Sequence, residues 1–86
     1  MNDGGLSYPC VYPVKVFLHP DAAHEAALVA GVRAELAADA PLDVERRPSS
    51  AGRYVCLTLR LTVQSAAQAE RIAAVVRAAD GVLMSL

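Results

Sequence analysis

Ten consecutive residues, Tyr54 to Val63, alternate strictly between two kinds of side chain. Val55, Leu57, Leu59, Leu61 and Val63 hold one parity, and Tyr54, Cys56, Thr58, Arg60 and Thr62 hold the other. Successive strand side chains point to opposite faces, so this run reads as a strand with one buried face and one open face. A strand of that kind requires antiparallel neighbours and a covering layer on its apolar side.

The rest of the chain supplies both. Val14-Lys15-Val16-Phe17-Leu18-His19 is a first strand, with Val14, Val16 and Leu18 inward. The two prolines of Tyr8-Pro9-Cys10-Val11-Tyr12-Pro13 make its lead-in extended, and Pro20 ends it. Asp21 is placed to cap a helix that runs to about Asp39, with Leu28, Val29, Val32 and Leu36 at helical spacing. Its opposite side carries small or polar residues, including Ala27, Gly31 and Ala38. Leu42 to Arg47 form a second strand, and Pro48-Ser49-Ser50-Ala51-Gly52 is a turn cluster. Ser65 and Gln68 match the capping-box spacing for a second helix to about Ala79, with Ile72, Val75 and Val76 inward. Asp80-Gly81 stops it, and Val82 to Leu86 give a fourth strand.

The order strand, helix, strand, strand, helix, strand is the α+β, ferredoxin-like split βαβ arrangement. It predicts a four-stranded antiparallel sheet with two helices on one face, and the first and third strands at its centre. Val14, Val16, Leu18, Leu57, Leu59, Leu61, Val82, Met84 and Leu86 are expected to face Leu28, Val32, Leu36, Ile72 and Val76. Residues 8–86 then make one domain, preceded by a disordered tail over residues 1–7.

Composition narrows the function classes. The chain has 86 residues, 55% of them hydrophobic and 20% charged, with a formal net charge of −1. That balance argues against attachment to nucleic acid or anionic lipid by bulk charge. The longest apolar run, Ala26 to Val32, falls far short of the ~20 residues of a membrane span. With no basic or apolar leader at the N-terminus, the expected location is the cytoplasm. In that reducing setting Cys10 and Cys56 read as thiols, not a disulfide.

Three segments carry a resemblance to a known family. They are Tyr8-Pro9-Cys10-Val11-Tyr12-Pro13-Val14-Lys15-Val16, the hairpin Arg47-Pro48-Ser49-Ser50-Ala51-Gly52-Arg53-Tyr54, and Val82-Leu83-Met84-Ser85-Leu86. With the element order between them, the chain resembles the YbeD-like family of small bacterial proteins over residues 8–86. The resemblance implies an ACT-like ferredoxin fold. Members are often labelled lipoic-acid-binding regulatory proteins, which implies a regulatory or small-molecule-binding role. Members usually carry a glycine just after the lysine-bearing strand segment, where this chain has Phe17-Leu18.

The residues form no recognisable catalytic constellation, so no enzyme activity and no cofactor are expected. His19, Asp21, His24 and Glu25 cluster at the first strand-to-helix junction, but their spacing matches no zinc pattern, and capping acids in a solvated loop explain them. Cys56 would need a cation such as Lys15 or Arg60 to become reactive; a small filler on a half-covered sheet is the alternative. Arg46, Arg47 and Arg53 flank Ser49 and Ser50, so the hairpin offers an anion site. A tip kept soluble by arginine accounts for the same residues.

The open sheet face is the informative surface. Parity places Lys15, Phe17, His19, Tyr54, Cys56, Thr58 and Arg60 there, with Leu83 and Ser85 on one flank and Asp43, Glu45 and Arg47 on the other. Aromatic, aliphatic and cationic groups mixed in this way mark an interface. The expected occupant is a small acidic ligand, a partner enzyme or a second copy, and the resemblance implies a carboxylic acid such as lipoate. Lys15 or Arg60 would take a carboxylate while Phe17, Tyr54 and Leu83 cover an apolar chain. RNA binding on the same face is the alternative, disfavoured by the negative net charge and by a third strand with one aromatic.

Overall fold

The structure is a computed structural model that describes residues 8–86; the tail expected over residues 1–7 lies outside them. Six elements follow in the expected order: β1 (Cys10–Leu18), α1 (Ala22–Ala34), β2 (Leu42–Pro48), β3 (Val55–Val63), α2 (Ala66–Ala78) and β4 (Val82–Ser85). The strands form one antiparallel sheet in the order β2-β3-β1-β4, so the two most strongly patterned strands are its centre. β1 is longer than its alternation suggests because Cys10 to Pro13 also pair with β3, Pro13 opposite Arg60.

The core lies between this sheet and the two helices. Val16, Leu18, Leu57, Leu59 and Leu61 are buried against Leu28, Val32, Leu36, Ile72 and Val76, as expected. Val14 and Val82 are partly buried at its margin. Met84 and Leu86 are not in the core: they are 51% and 69% exposed. The cause is a register shift. Val16 pairs with Ser85 and Phe17 with Met84, but Leu18 pairs with Val82, so Leu83 is an extra residue on β4. Directly opposed residues in an antiparallel pair share a face. The bulge therefore puts Ser85 on the helix side and Met84 on the open side with Phe17, reversing the expected parity.

Each helix starts where its cap dictates. Asp21 Oδ1 accepts from the N–H groups of Ala23 and His24 at 2.9 and 3.0 Å. Those hydrogen bonds, that of His24 foremost, hold the Asp21 carboxyl below its ordinary range. Ser65 Oγ accepts from Gln68 N–H at 3.1 Å, and the Gln68 side chain reaches back to Gln64 N–H at 2.7 Å. α1 ends five residues before Asp39. Beyond its last turn the Arg33 guanidinium donates to the carbonyls of Ala37, Ala38 and Ala40, holding the chain in turns instead of a continuing helix.

Gly31 is also not where the apolar stripe of α1 puts it. A Cβ on it would lie 2.9 Å from Val75 Cγ1, so Gly31 faces α2 and the two helices pack closely there. On the other flank, Glu25 of α1 accepts from Arg46 Nε of β2 at 2.7 Å, tying helix to sheet edge. That hydrogen bond from Arg46 holds the Glu25 carboxyl below its ordinary range and raises the guanidinium in turn. Among the described residues, no helix is long and apolar enough to cross a membrane.

Candidate functional site

Strand pairing fixes what stands beside what on the open face. In one row Arg47 of β2, Cys56 of β3, Phe17 of β1 and Met84 of β4 lie side by side. In the next row stand Glu45, Thr58 and Lys15, followed by Leu86, which exchanges backbone hydrogen bonds with Lys15 at 3.2 and 2.8 Å. Asp43, Arg60 and Pro13 form a third. The face is thus polar and charged toward β2 and apolar toward β4.

A hollow of about 250 Å³ opens between Lys15, Glu45, Arg47, Cys56, Thr58 and Arg60. Arg60 Nη1 donates to Glu45 Oε1 at 3.1 Å, and Arg47 Nη2 lies 3.9 Å from Glu45 Oε2. One carboxylate therefore faces two guanidinium groups. The Lys15 side chain, third cation of the hollow, has no hydrogen-bond or ion-pair partner among the described residues. Thr58 is only 8% exposed although it points to the open side, because the long side chains of its row cover it.

Phe17 and Tyr54 border this hollow. Their ring centroids are 6.0 Å apart at an interplanar angle of 67°, an edge-to-face pair. Tyr54 remains 42% exposed, and Leu83 and Met84, both 51% exposed, extend the apolar area to the β4 edge. Lys15, Phe17, Tyr54 and Arg60 thus share one surface, while Leu83 is the bulge residue at its margin. Glu45 and Met84 belong to the same surface and were not singled out as site residues. Parity puts Glu45 on this face and the pairing register of β2 sets it beside Arg60, whereas the bulge of β4, not visible in periodicity, brings in Met84.

The hairpin residues separate. Ser49 Oγ accepts from the N–H groups of Arg53 and Tyr54 at 3.1 and 3.3 Å, so the donors that an anion would use already serve the turn. Ser50 lies at the exposed tip, Arg53 is exposed and has no ion pair among the described residues, and Arg47 belongs to the hollow. At the α1 junction Asp21 is consumed as a cap and Glu25 by Arg46. No group of three or more His, Cys, Asp or Glu able to hold a metal stands together among the described residues. Cys10 and Cys56 are free, on opposite ends of the central strand pair and separated by roughly 20 Å.

Comparison with known proteins agrees with this architecture. The chain superposes on the solution structure of protein HP0495 from H. pylori with a TM-score of 0.79, covering 94% of this chain and 85% of that one. The two are 16% identical, a likeness that speaks to the fold alone. No curated protein matches the sequence. The sequence profile of a family does match, over residues 3–86: the chain belongs to DUF493, the family of proteins of unknown function that includes the YbeD-like proteins.

Proposed function

We propose that this protein is a non-catalytic binding module whose open sheet face takes a small carboxylic acid with a short apolar chain, the class that includes lipoate and octanoate. The observation that carries the reading is the juxtaposition of an unpaired ammonium with an aromatic pair. Lys15 is two residues along β1 from Phe17, on the same face, and Phe17 packs edge-on against Tyr54. Side chains two apart on a strand are separated by about 7 Å, the reach of a few methylene groups. A carboxylate on Lys15 would leave its chain lying over Phe17 and Tyr54 toward Met84.

Of the two cations expected to hold the acid, Lys15 is the better suited, since Arg60 already donates to Glu45. Association by one exposed charge pair and modest apolar area gives weak binding, as suits a sensor of a metabolite pool.

Titration of the labelled protein with lipoate, octanoate and a short single-stranded RNA, followed by amide NMR shifts, tests the reading. Saturable shifts centred on Lys15, Phe17 and Tyr54 with the acids, lost in Lys15→Gln, are the expected result. Shifts on the same face with RNA alone would replace the reading by RNA binding. Silence with all three would overturn it.

A further inference from the structure

Thr58 stands at the centre of a cross on the open face. Lys15 of β1 and Glu45 of β2 lie directly beside it, and Cys56 and Arg60 lie two residues before and after it on β3. Arg47, opposite Cys56, closes a corner. Directly opposed side chains start about 4.5–5.5 Å apart, and those two apart on a strand about 7 Å. Long side chains therefore rise around two short ones, Thr58 and Cys56, and enclose the hollow of about 250 Å³.

Two features of this hollow serve nothing in the fold. Its charges do not cancel: Lys15, Arg47 and Arg60 bring three positive charges against the one negative charge of Glu45, a formal excess of +2. The Thr58 hydroxyl, moreover, has no hydrogen-bond partner among the described residues, although Thr58 is only 8% exposed. Its oxygen is not sealed off and opens on the floor of the hollow. Native structures rarely leave so deeply set a hydroxyl unpaired.

We propose that the hollow binds a phosphoryl group, carried by a small phosphate monoester or free as inorganic phosphate. A phosphate monoester carries a charge of about −1.5 to −2 at neutral pH, which matches the excess, and its terminal oxygens accept hydrogen bonds from several sides at once. The unpartnered Lys15 ammonium approaches from β1. Arg47 and Arg60 each have more N–H donors than Glu45 occupies, so both forks retain donors for the anion. Thr58 donates from below. Glu45, half exposed on the rim, holds the two guanidinium groups toward each other before the ligand arrives. A monocarboxylate, singly charged, would leave part of this donor set unused. An apolar cavity of about 150 Å³ holds a benzene molecule, so this hollow takes a phosphoryl group with a short carbon skeleton, which would lie over Cys56 toward Phe17. The site goes beyond the carboxylic acid reading and shares only Lys15 with it.

The test titrates the labelled full chain in phosphate-free buffer with glycerol 3-phosphate, inorganic phosphate and succinate, read by NMR. Both phosphates should give saturable shifts centred on Lys15, Arg47, Thr58 and Arg60, about tenfold tighter than succinate, a dianion of different shape. Tighter binding of the ester would support a phosphorylated metabolite as the source, and equal binding would support free phosphate. Thr58→Val, which keeps the side-chain shape and removes the hydroxyl, should weaken both about fivefold, and Arg47→Gln about tenfold. Arg53→Gln, the same loss of charge at the hairpin, should leave both unchanged. Absence of octanoate shifts at Phe17 and Tyr54, with the phosphate shifts intact, would overturn the carboxylic acid reading and leave this site standing. No shifts at millimolar phosphate would overturn the proposal. So would equal affinity for succinate, or equal losses in Arg53→Gln and Arg47→Gln, since either reduces the site to bulk attraction of anions.

Discussion

Gly31 in α1 and Val75 in α2 approach so closely that a Cβ on the glycine would stand 2.9 Å from the valine Cγ1. Alanine at position 31 gains about 1 kcal/mol of helix propensity but must push the helices apart, and overpacking costs about 1–3 kcal/mol. Gly31→Ala is therefore expected to be destabilising on balance in urea unfolding. A double-mutant cycle with Val75→Ala should show coupling of about 1 kcal/mol, because the smaller residue removes the clash. Additivity would mean that the helices separate freely.

Leu59 and Met84 separate the two faces of the sheet. Leu59 is fully buried at the centre of β3, so Leu59→Ala should cost about 2–5 kcal/mol, enough to threaten a domain of this size. Met84 is half exposed beside Phe17, so Met84→Ala should cost less than about 1 kcal/mol. Comparable losses at both positions would contradict the bulge in β4.

Gly81 combines two constraints that a second substitution can separate. Its φ of +81° lies in the left-handed region, and a Cβ there would meet His24 Nδ1 at 2.7 Å. Gly81→Ala should destabilise by about 1–3 kcal/mol. Adding His24→Ala should return only part of that loss, because the backbone contribution remains. Full recovery would assign the whole effect to the imidazole.

Acid should weaken the fold through Asp21 and Glu25. Both carboxyls are held below their ordinary values of 3.8 and 4.5, the first by the His24 and Ala23 amides and the second by Arg46. A depressed folded value means that the unfolded chain binds more protons in acid, so stability is fully present above those ordinary values and falls as pH drops through the folded ones. Urea midpoints should hold from pH 7 to about 5 and decline below it. Glu25→Gln should be less stable at pH 7 and show a shallower acid decline. An unchanged acid slope in that variant would remove the Arg46 pair as a contributor.

Much of this architecture is legible in the sequence because two signals are local. The parity of β3 and the Ser65–Gln68 cap need only residues close in the chain, and both match the structure. The end of α1 is not local in that way. Alanine offers no stop signal, and the turn depends on Arg33 finding carbonyls of Ala37, Ala38 and Ala40. Gly31 reads as solvent-facing until a second helix is laid against it. On the open face, parity alone brings Lys15, Phe17, Cys56 and Arg60 together. The pairing of Glu45 with Arg60 depends on the offset between β2 and β3, which no single strand encodes.

The extra residue in β4 makes pairing register, rather than side-chain identity, the determinant of the surface chemistry there. Were β4 to pair without the bulge, everything beyond Val82 would move by one step relative to β1. Leu83 would stand opposite Phe17, Met84 would turn beneath the sheet, and Ser85 would replace Leu86 beside Lys15, exchanging an apolar neighbour of the ammonium for a hydroxyl without changing any residue. One step of register thus separates a greasy neighbour from a wet one, leaving the strands that hold the core untouched.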